Sequence, residues 1–452
     1  MSSLLSPGTP GTPGTPRTAG LPALLALLVL LLLGGALAAT ITVTTPWHPL
    51  PSSGPATVSA ATDFTHDEIV RARGFYSALR PLSYGSLAVG LLVLLLLGLT
   101  PLGGRLVARV ARPYGQARRG HWVWQVVVGA VAVSLIHRLV LLPFSARAEV
   151  VLRQYGLSTQ SWAGWAIDVA KGFGLETGLL VLAFLGLYGL IRLAPRLWWV
   201  PACVGGFVLV VAVSFVYPVV VEPVFNSFRP MSQGELRAEL MALAERDGVP
   251  VQRVLVADAS RRTTAVNAYV SGFGSTRRIV VYDTLLKTSG PREVKLIVAH
   301  ELGHADRRDV LYGTLVGALG VAAGVCLLYL LLTRPSLQRR AGVSSARDPR
   351  SLALVLLIFT GLSTLSMPVQ NLISRQIEAR ADVHALNLTE DPAAYARMQR
   401  QLAVHNLAPL QPGPVPYYLY ATHPTPPQRI TLSREWARTH GVPVPPPLKP
   451  SR

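Results

Sequence analysis

The chain has 452 residues, of which half are hydrophobic and only 14% are charged, and its mean hydropathy is +0.40. This composition excludes an ordinary soluble protein. The formal net charge of +19 does not predict nucleic-acid binding, because the arginines are spread over loops that flank apolar runs and no recognition module accompanies them.

Seven apolar runs are long enough to cross a bilayer as helices. They occupy residues 21–39, 84–103, 122–142, 174–193, 198–220, 310–332 and 352–370. Before them, residues 1–20 contain a repeated Pro-Gly-Thr and are predicted to be a disordered tail, because such a segment cannot bury a core. The first run has a second interpretation as a cleaved signal peptide, since Arg17 precedes it and Ala36-Leu37-Ala38 resembles a processing site.

Polar residues are concentrated in two blocks that the last two spans separate. The predicted organisation is a membrane domain of five spans at 21–221, a first polar part at 222–309, two spans at 310–370 and a second polar part at 371–440. Residues 441–452 are rich in proline and are predicted to be a disordered tail like the N-terminus.

The first polar block is expected to be a small α+β unit. Ser232 and Glu235 fit a capping box at the start of an amphipathic helix. Residues 253–257 and 278–282 are predicted strands. Pro291 fits the first turn of the next helix, which we expect to continue directly into the sixth span.

The helix that begins near Pro291 carries the sequence His300-Glu301-Leu302-Gly303-His304. Two imidazoles four residues apart lie on one helix face and can bind one zinc ion. The glutamate between them is then positioned to act on the water that the metal activates. The alternative interpretation is a surface helix with two solvated histidines.

Glu378 and Asp382 supply the acids that a zinc site of this kind needs from a second helix. Glu378 has the length to be the third metal ligand, and Asp382 behind it can accept a hydrogen bond from a ligating histidine. A metzincin site is excluded, because its glycine and third histidine would fall at Arg307 and Val310. If the last two spans form an antiparallel hairpin, Glu378 and His304 emerge at the same membrane face. An exposed charged helix is the alternative for this segment.

These segments together resemble the integral-membrane zinc metallopeptidases of the CAAX prenyl protease 1 type, over nearly the whole chain. The matching stretches are Tyr155 to Gln160, Pro223 to Pro230, Asn267 to Gly274, Arg278 to Leu286, the His300 to His304 motif, Glu378 to Asp382, Thr422-His423-Pro424 and Arg429-Ile430. The predicted fold is therefore a mainly α membrane protein of about seven transmembrane helices. A small α+β zincin-like (gluzincin) catalytic domain is expected at the membrane face.

The resemblance implies a role for each matching position. His300, His304 and Glu378 are implied to bind one zinc ion per chain, and Glu301 is implied to be the general base and later the proton donor. His423 would stabilise the oxyanion, with Asp382 and Arg429 supporting the site. Asn267 would contact the substrate, as would Ile279 and Val281 on an edge strand. His423 without the resemblance would be interpreted as an ordinary loop histidine beside prolines.

The implied function is a membrane-embedded zinc endopeptidase that hydrolyses membrane-associated proteins or peptides. Only four of the 42 basic residues are lysines, which suggests a GC-rich bacterial genome. Processing or membrane-protein quality control at the plasma membrane is then the expected task, rather than cleavage of prenylated substrates. Two alternatives are a non-enzymatic seven-span transporter or receptor with an accidental motif, and an inactive scaffold, against which the presence of Glu301 argues.

The side of the membrane on which the site lies is a separate question. The resemblance puts the catalytic block in the cytosol. Short basic loops argue the opposite, because the positive-inside rule assigns them to the cytoplasm and both lie opposite the zinc site. Their arginines are Arg105, Arg109, Arg112, Arg118 and Arg119 between spans two and three, and Arg334, Arg339, Arg340, Arg347 and Arg350 between spans six and seven. We favour an extracytoplasmic site.

Overall fold

The computed structural model describes residues 20–49, 58–114, 121–272 and 274–448. The predicted N-terminal disordered tail, apart from Gly20, lies outside these residues, as do residues 449–452. Within the described ranges the α-helices are, in chain order, α1 (Leu21–Thr44), α2 (His66–Gly98), α3 (Pro101–Ala111), α4 (His121–Gln154), α5 (Trp162–Leu193), α6 (Trp199–Val216), α7 (Glu222–Phe225), α8 (Glu235–Arg246), α9 (Asp283–Thr288), α10 (Pro291–Asp306), α11 (Asp309–Leu332), α12 (Pro335–Arg340), α13 (Leu352–Thr389), α14 (Pro392–His405), α15 (Pro414–Tyr420) and α16 (Pro426–Thr439).

Seven helices of the described chain are long and apolar enough to cross a membrane: α1, α2, α4, α5, α6 with its continuation through α7, α11 and α13. The predicted number of spans is therefore confirmed. The second span differs from its predicted bounds, because α2 begins at His66 behind a capping box of Thr65 and Glu68 and ends at Gly98. A new helix, α3, then starts at Pro101, whose ring suits a first helical turn.

The spanning helices carry large apolar side chains on their outer surface. Leu32 on α1 is 72% exposed and Val204 on α6 is 61% exposed, as expected for residues that contact lipid. Small residues make the contacts between helices. Cys203 of α6 lies 3.2 Å from the carbonyl oxygen of Ala322 and 3.5 Å from the sulfur of Cys326, both on α11. This close approach is typical of helix packing in membranes.

The first polar block forms a four-stranded sheet beside the membrane helices. Its strands are β1 (Phe228–Pro230), β2 (Arg253–Ala257), β3 (Ala268–Ser271) and β4 (Arg278–Tyr282), in the order β1-β2-β4-β3. β2 and β4 pair in parallel, and the two outer pairings are antiparallel. The two predicted strands are confirmed as β2 and β4. The short outer strands β1 and β3 were not predicted.

The prediction that residues 279–282 form the edge of this sheet is wrong. β4 lies in the middle, with β2 on one side and β3 on the other. Ile279 and Val281 are completely buried in the core below the sheet, so neither side chain is free to contact a substrate. The two edge strands among the described residues are β1 and β3, and β3 is the one that pairs with β4.

Two predictions about helix ends are also wrong. α8 begins at Glu235 with Gly234 as its N-cap and has no side-chain capping bond, so the capping box proposed at Ser232 does not form. α10 begins at Pro291 as predicted but ends at Asp306 instead of continuing into the sixth span. The break falls at Arg308, whose φ of 57° lies in the left-handed region, and α11 starts at the next residue.

The last spanning helix carries the second polar block on the same continuous helix. α13 runs unbroken from Leu352 to Thr389, so Glu378 lies about 39 Å along the helix from its first residue. Because α11 and α13 pack together and the start of α11 meets the end of α13, the two spans form the expected antiparallel hairpin. Their connecting loop packs against α3 at the far end, where Gly104 contacts Ala341 and Arg350.

The Pro-rich tail is ordered as far as the structure describes it. The backbone N–H of Leu448 donates to Asp63 at 3.1 Å, and Arg434 donates to the carbonyl of Pro445 at 3.0 Å. The prediction of a disordered C-terminus is therefore wrong for residues 441–448. Arg434 also forms an ion pair with the buried Asp63, which holds this tail against the segment that leads into α2.

The arrangement of the basic loops predicts the orientation of the protein. Ser344 in the loop before α13 and Ser232 beside the sheet are both exposed and lie at opposite ends of the molecule. Under the positive-inside rule, a membrane-impermeant maleimide should label Ser232→Cys in intact cells and leave Ser344→Cys unlabelled until the cells are permeabilised. The parent chain is the control, because both of its cysteines are buried. Labelling of Ser344→Cys in intact cells would contradict the prediction.

Candidate metal centre

Helices α10 and α13 cross in front of the sheet and bring three metal-binding side chains together. His300 and His304 come from α10, and Glu378 comes from α13. The helices approach closely because residue 303 is glycine. A Cβ atom at Gly303 would lie only 3.0 Å from the side chain of His384 on α13, a contact so tight that His384 would have to move away by a few tenths of an ångström.

The donor atoms of the three side chains face one another at short distances. The Nε2 atoms of His300 and His304 are 3.2 Å apart. One carboxylate oxygen of Glu378 lies 3.1 Å from Nε2 of His300, and the other lies 3.5 Å from Nε2 of His304. These are the three residues that the sequence predicted as metal ligands, and the structure brings them together.

Each histidine is oriented by a carboxylate on its far side. Nδ1 of His300 lies 2.9 Å from Asp382, and Nδ1 of His304 lies 2.9 Å from Asp309. Both rings therefore turn Nε2 toward the shared centre, where it meets the carboxylate of Glu378. Such a set of electron-rich atoms attracts a cation.

The pKa of His300 reflects this negative environment. Burial by itself lowers the pKa of an imidazole, but hydrogen bonds to Asp382 and Glu378 raise the pKa of His300 to about 10. The cluster thus holds a positive charge at its centre even when that charge is only a proton. A divalent cation would displace this proton on binding.

Two arginines complete the arrangement behind the carboxylates. Nε of Arg429 on α16 donates to Asp382 at 2.8 Å, and Asp382 is completely buried. Arg380 on α13 forms the corresponding ion pair with Asp309. Asp382 and Arg429 were predicted to support the site. Asp309 and Arg380 were missed.

The reason for this omission is the helix break at Arg308. Residues five apart on a continuous helix point about 140° away from each other, so the expected unbroken helix would direct Asp309 away from His304. The left-handed backbone of Arg308 turns the chain back, and Asp309 becomes the first residue of the sixth span. A dipeptide of arginines after the motif was the only sequence signal, and it does not predict a break.

Glu301 and His423 lie beside the cluster on its open side. Burial raises the pKa of the Glu301 carboxyl above its ordinary value, and the two neighbouring imidazoles offset part of this rise. Nε2 of His423 lies 3.3 Å from Glu378, and its Nδ1 is within 2.8 Å of the hydroxyl of Thr422. The side chain of His423 remains 55% exposed, so a ligand can reach it.

A cavity of about 830 Å³ opens onto these residues. We call it the main cavity. Its wall includes His300, Glu301, His423 and Arg429 of the centre, together with Asn267 at the start of β3. Asn267 accepts a backbone hydrogen bond from Tyr282 at 3.0 Å, which fixes the beginning of the edge strand next to the cluster. Ile279 and Val281 are absent from the described wall of the cavity, in agreement with their burial.

Comparison with known proteins places the chain among membrane metalloproteases. Residues 230–437 match "Peptidase family M48", and residues 79–227 match "CAAX prenyl protease N-terminal, five membrane helices". The "Uncharacterized metalloprotease YhfN" of Bacillus subtilis is 33% identical, over 67% of this chain and 72% of that protein. The "CAAX prenyl protease 1" of Saccharomyces cerevisiae is 27% identical, over 66% of this chain and 70% of that protein.

The fold itself is similar to a solved structure. The crystal structure of S. mikatae Ste24p superimposes with a TM-score of 0.73 at 21% sequence identity, over 90% of this chain and 98% of that chain. At this level of identity the likeness concerns the fold alone.

Proposed function

The chain belongs to peptidase family M48 and is a multi-pass membrane metalloprotease, and from this premise we propose that His300, His304 and Glu378 bind its metal as one zinc ion. Peptides are the substrates of this family. The alternative function, a non-enzymatic transporter or receptor, is not favoured, because the family matches span both the membrane helices and the polar blocks.

The close approach of the donor groups is the observation that supports zinc. Tetrahedral zinc with bonds of about 2.0–2.1 Å requires ligand atoms about 3.3–3.4 Å apart. The two imidazole nitrogens are 3.2 Å apart, and one oxygen of Glu378 lies 3.1 Å from His300 while its other oxygen lies 3.5 Å from His304, so these distances scatter around the value for zinc. Two imidazoles and one carboxylate are also the ligand set of catalytic zinc sites, in which a fourth position stays open for water or substrate.

The chain's own side chains carry the proton transfers of the proposed reaction. When bound, zinc supplies Lewis acidity that polarises a peptide carbonyl and activates water near neutral pH. The Glu301 carboxylate accepts the proton of the attacking water and then donates it to the nitrogen of the departing amine. Its raised pKa suits both steps, because the group must gain and lose a proton near neutrality.

His423 and Asn267 are proposed to bind the reacting peptide. His423 can donate a hydrogen bond from Nε2 to the scissile carbonyl oxygen as negative charge develops there. Asn267 can hold the peptide backbone at the start of β3. An extended peptide would add to the free edge of β3 as a further antiparallel strand, which replaces the contacts first proposed for Ile279 and Val281.

The substrate class follows from the position of the site. Glu378 lies on the same continuous helix as the seventh span, and His304 lies five residues before the first residue of the sixth span, so we infer that the substrates of the site are membrane-associated proteins or peptides. The yeast relative is named for cleavage of CAAX prenyl substrates. We propose processing or quality control of membrane proteins in a bacterial plasma membrane instead, in keeping with the composition and with the Bacillus subtilis relative.

Replacement of Glu301 by glutamine should abolish catalysis and leave the metal bound. The neutral amide cannot accept the water proton, and a general base of this kind contributes on the order of 10²- to 10⁴-fold. Peptide hydrolysis and metal content of purified protein are measured together. Glu245→Gln, at an exposed position on α8, is the matched control. Normal turnover by Glu301→Gln would refute the assignment.

Metal affinity should distinguish the ligand from the residues that orient the ligands. Glu378→Ala removes a donor atom and should empty the site. Asp382→Ala and Asp309→Ala each remove a partner of one histidine and should weaken binding by about 10- to 100-fold. Competition with a chelator gives the three affinities. If Asp382→Ala loses as much zinc as Glu378→Ala, the roles of these acids are exchanged.

Replacement of His423 by phenylalanine should lower kcat by on the order of 10²-fold, as expected for the loss of one oxyanion donor. Metal content should be unchanged, because the residue is not a proposed ligand. Steady-state kinetics separate the parameters. An effect confined to KM would mean that His423 binds the substrate without stabilising the transition state.

A further inference from the structure

A second cavity lies on the other side of the metal centre from the main cavity. Its volume is about 490 Å³, and His304 forms part of its wall. The wall also includes Val270 and Gly272 from the far end of the edge strand, and two arginines, Arg277 and Arg308. We call it the basic cavity.

The edge strand connects the two cavities. Asn267, at its beginning, lines the main cavity beside Glu301. Val270, three residues further along, lines the basic cavity beside His304. A peptide that extends β3 would therefore pass from one cavity to the other, directly beside the metal ligands. An antiparallel peptide runs opposite to β3, so its residues on the amino side of the scissile bond would enter the basic cavity.

Among the described residues, the positive charge of this cavity has no matching acidic partner. Arg277 is partly buried and Arg308 is exposed, and neither forms an ion pair with a described residue. Asp306, the one acidic residue among the described lining residues, is already paired with Arg307 at 3.2 Å. The pKa of Arg277 is lowered by burial and then by the positive charge of the nearby Arg308, and both residues line the same cavity.

The backbone at Arg308 keeps one of these charges at the cavity. Its φ of 57° is uncommon for any residue other than glycine and costs conformational energy. The same turn brings Asp309 to His304. Arg308 therefore lies directly before Asp309, the partner of His304, and it lines the basic cavity.

We propose that the basic cavity is a specificity subsite that selects an acidic side chain on the amino side of the scissile bond. This inference rests on the proposed peptidase function and on peptide binding along β3. Guanidinium groups recognise carboxylates through paired, charge-assisted hydrogen bonds. Two guanidinium groups in a partly enclosed groove give a preference for an acidic substrate side chain that a single exposed charge does not give.

The test compares pairs of peptides that differ only by Glu or Gln at one position, scanned along both sides of the scissile bond. The full-length zinc enzyme is used in bilayer nanodiscs of zwitterionic lipid. We expect kcat/KM to favour Glu over Gln by about tenfold at one amino-side position, as for a partly buried charge pair. The preference should fall in Arg277→Gln and Arg308→Gln and vanish in the double variant.

Conservative and distant variants control for structural damage. Arg277→Lys and Arg308→Lys keep the charge and should retain part of the preference for Glu. Arg237→Gln, on α8 outside the basic cavity, should keep the whole preference. The ratio of the two kcat/KM values is the readout, because a general loss of folding lowers both values together.

Three outcomes would overturn the proposal. One is the absence of a preference for Glu in the parent enzyme, or a preference on the carboxyl side only. Another is a preference that survives in the double variant. The third is an effect of the arginines that appears only in nanodiscs with anionic lipid and is independent of the peptide, which would identify a lipid-headgroup site. In each case cleavage of the Gln peptides by the parent enzyme, and its loss in Glu301→Gln, would leave the proposed peptidase function intact.

Discussion

The structure depends on holding three donor groups at one point, where they repel one another unless a proton or a cation lies between them. Two imidazole nitrogens and a carboxylate face one another at 3.1–3.5 Å, an arrangement that is unfavourable without a cation. Ion pairs on both sides oppose this repulsion: a largely buried one from Asp382 to Arg429 and a partly buried one from Asp309 to Arg380. Removal of one partner from a buried pair typically costs about 3–5 kcal/mol, so each histidine is fixed before a metal arrives.

Ion pairs also join parts of the chain that are far apart in sequence. The polar blocks are separated by two membrane spans, and the metal ligands come from both. Arg434 pairs with Asp63, and Arg400 donates to both carboxylate oxygens of Glu68 at 2.7 and 2.9 Å. These contacts attach the C-terminal helices to the start of α2. The catalytic unit is therefore attached to the membrane domain through α2 as well as through α11 and α13.

The free edge of β3 relates the metal centre to the proposed substrate path. An enzyme that cleaves peptides at a membrane face must bind an extended backbone without unfolding its own sheet. β3 offers one unpaired edge that begins in the main cavity and ends in the basic cavity, with the metal ligands between them. In the proposed function, chemistry and selection are divided along one strand, since Glu301 lies near its beginning and Arg277 and Arg308 lie near its end.

Local patterns in the sequence determined the number of spans, the strands β2 and β4, and the pair His300 and His304, because each depends only on residues a few positions apart. The choice of Glu378 over other acids required the added resemblance to a known family. Only the tertiary structure decided that β4 is central, since an apolar strand does not specify its neighbours. It also decided that Arg308 interrupts the helix and that Asp309 meets His304. A non-glycine residue in the left-handed region needs support from distant contacts, such as the ion pair between Asp309 and Arg380. Distant contacts also order the Pro-rich end, because the backbone N–H of Leu448 donates to Asp63, more than 380 residues away in the chain.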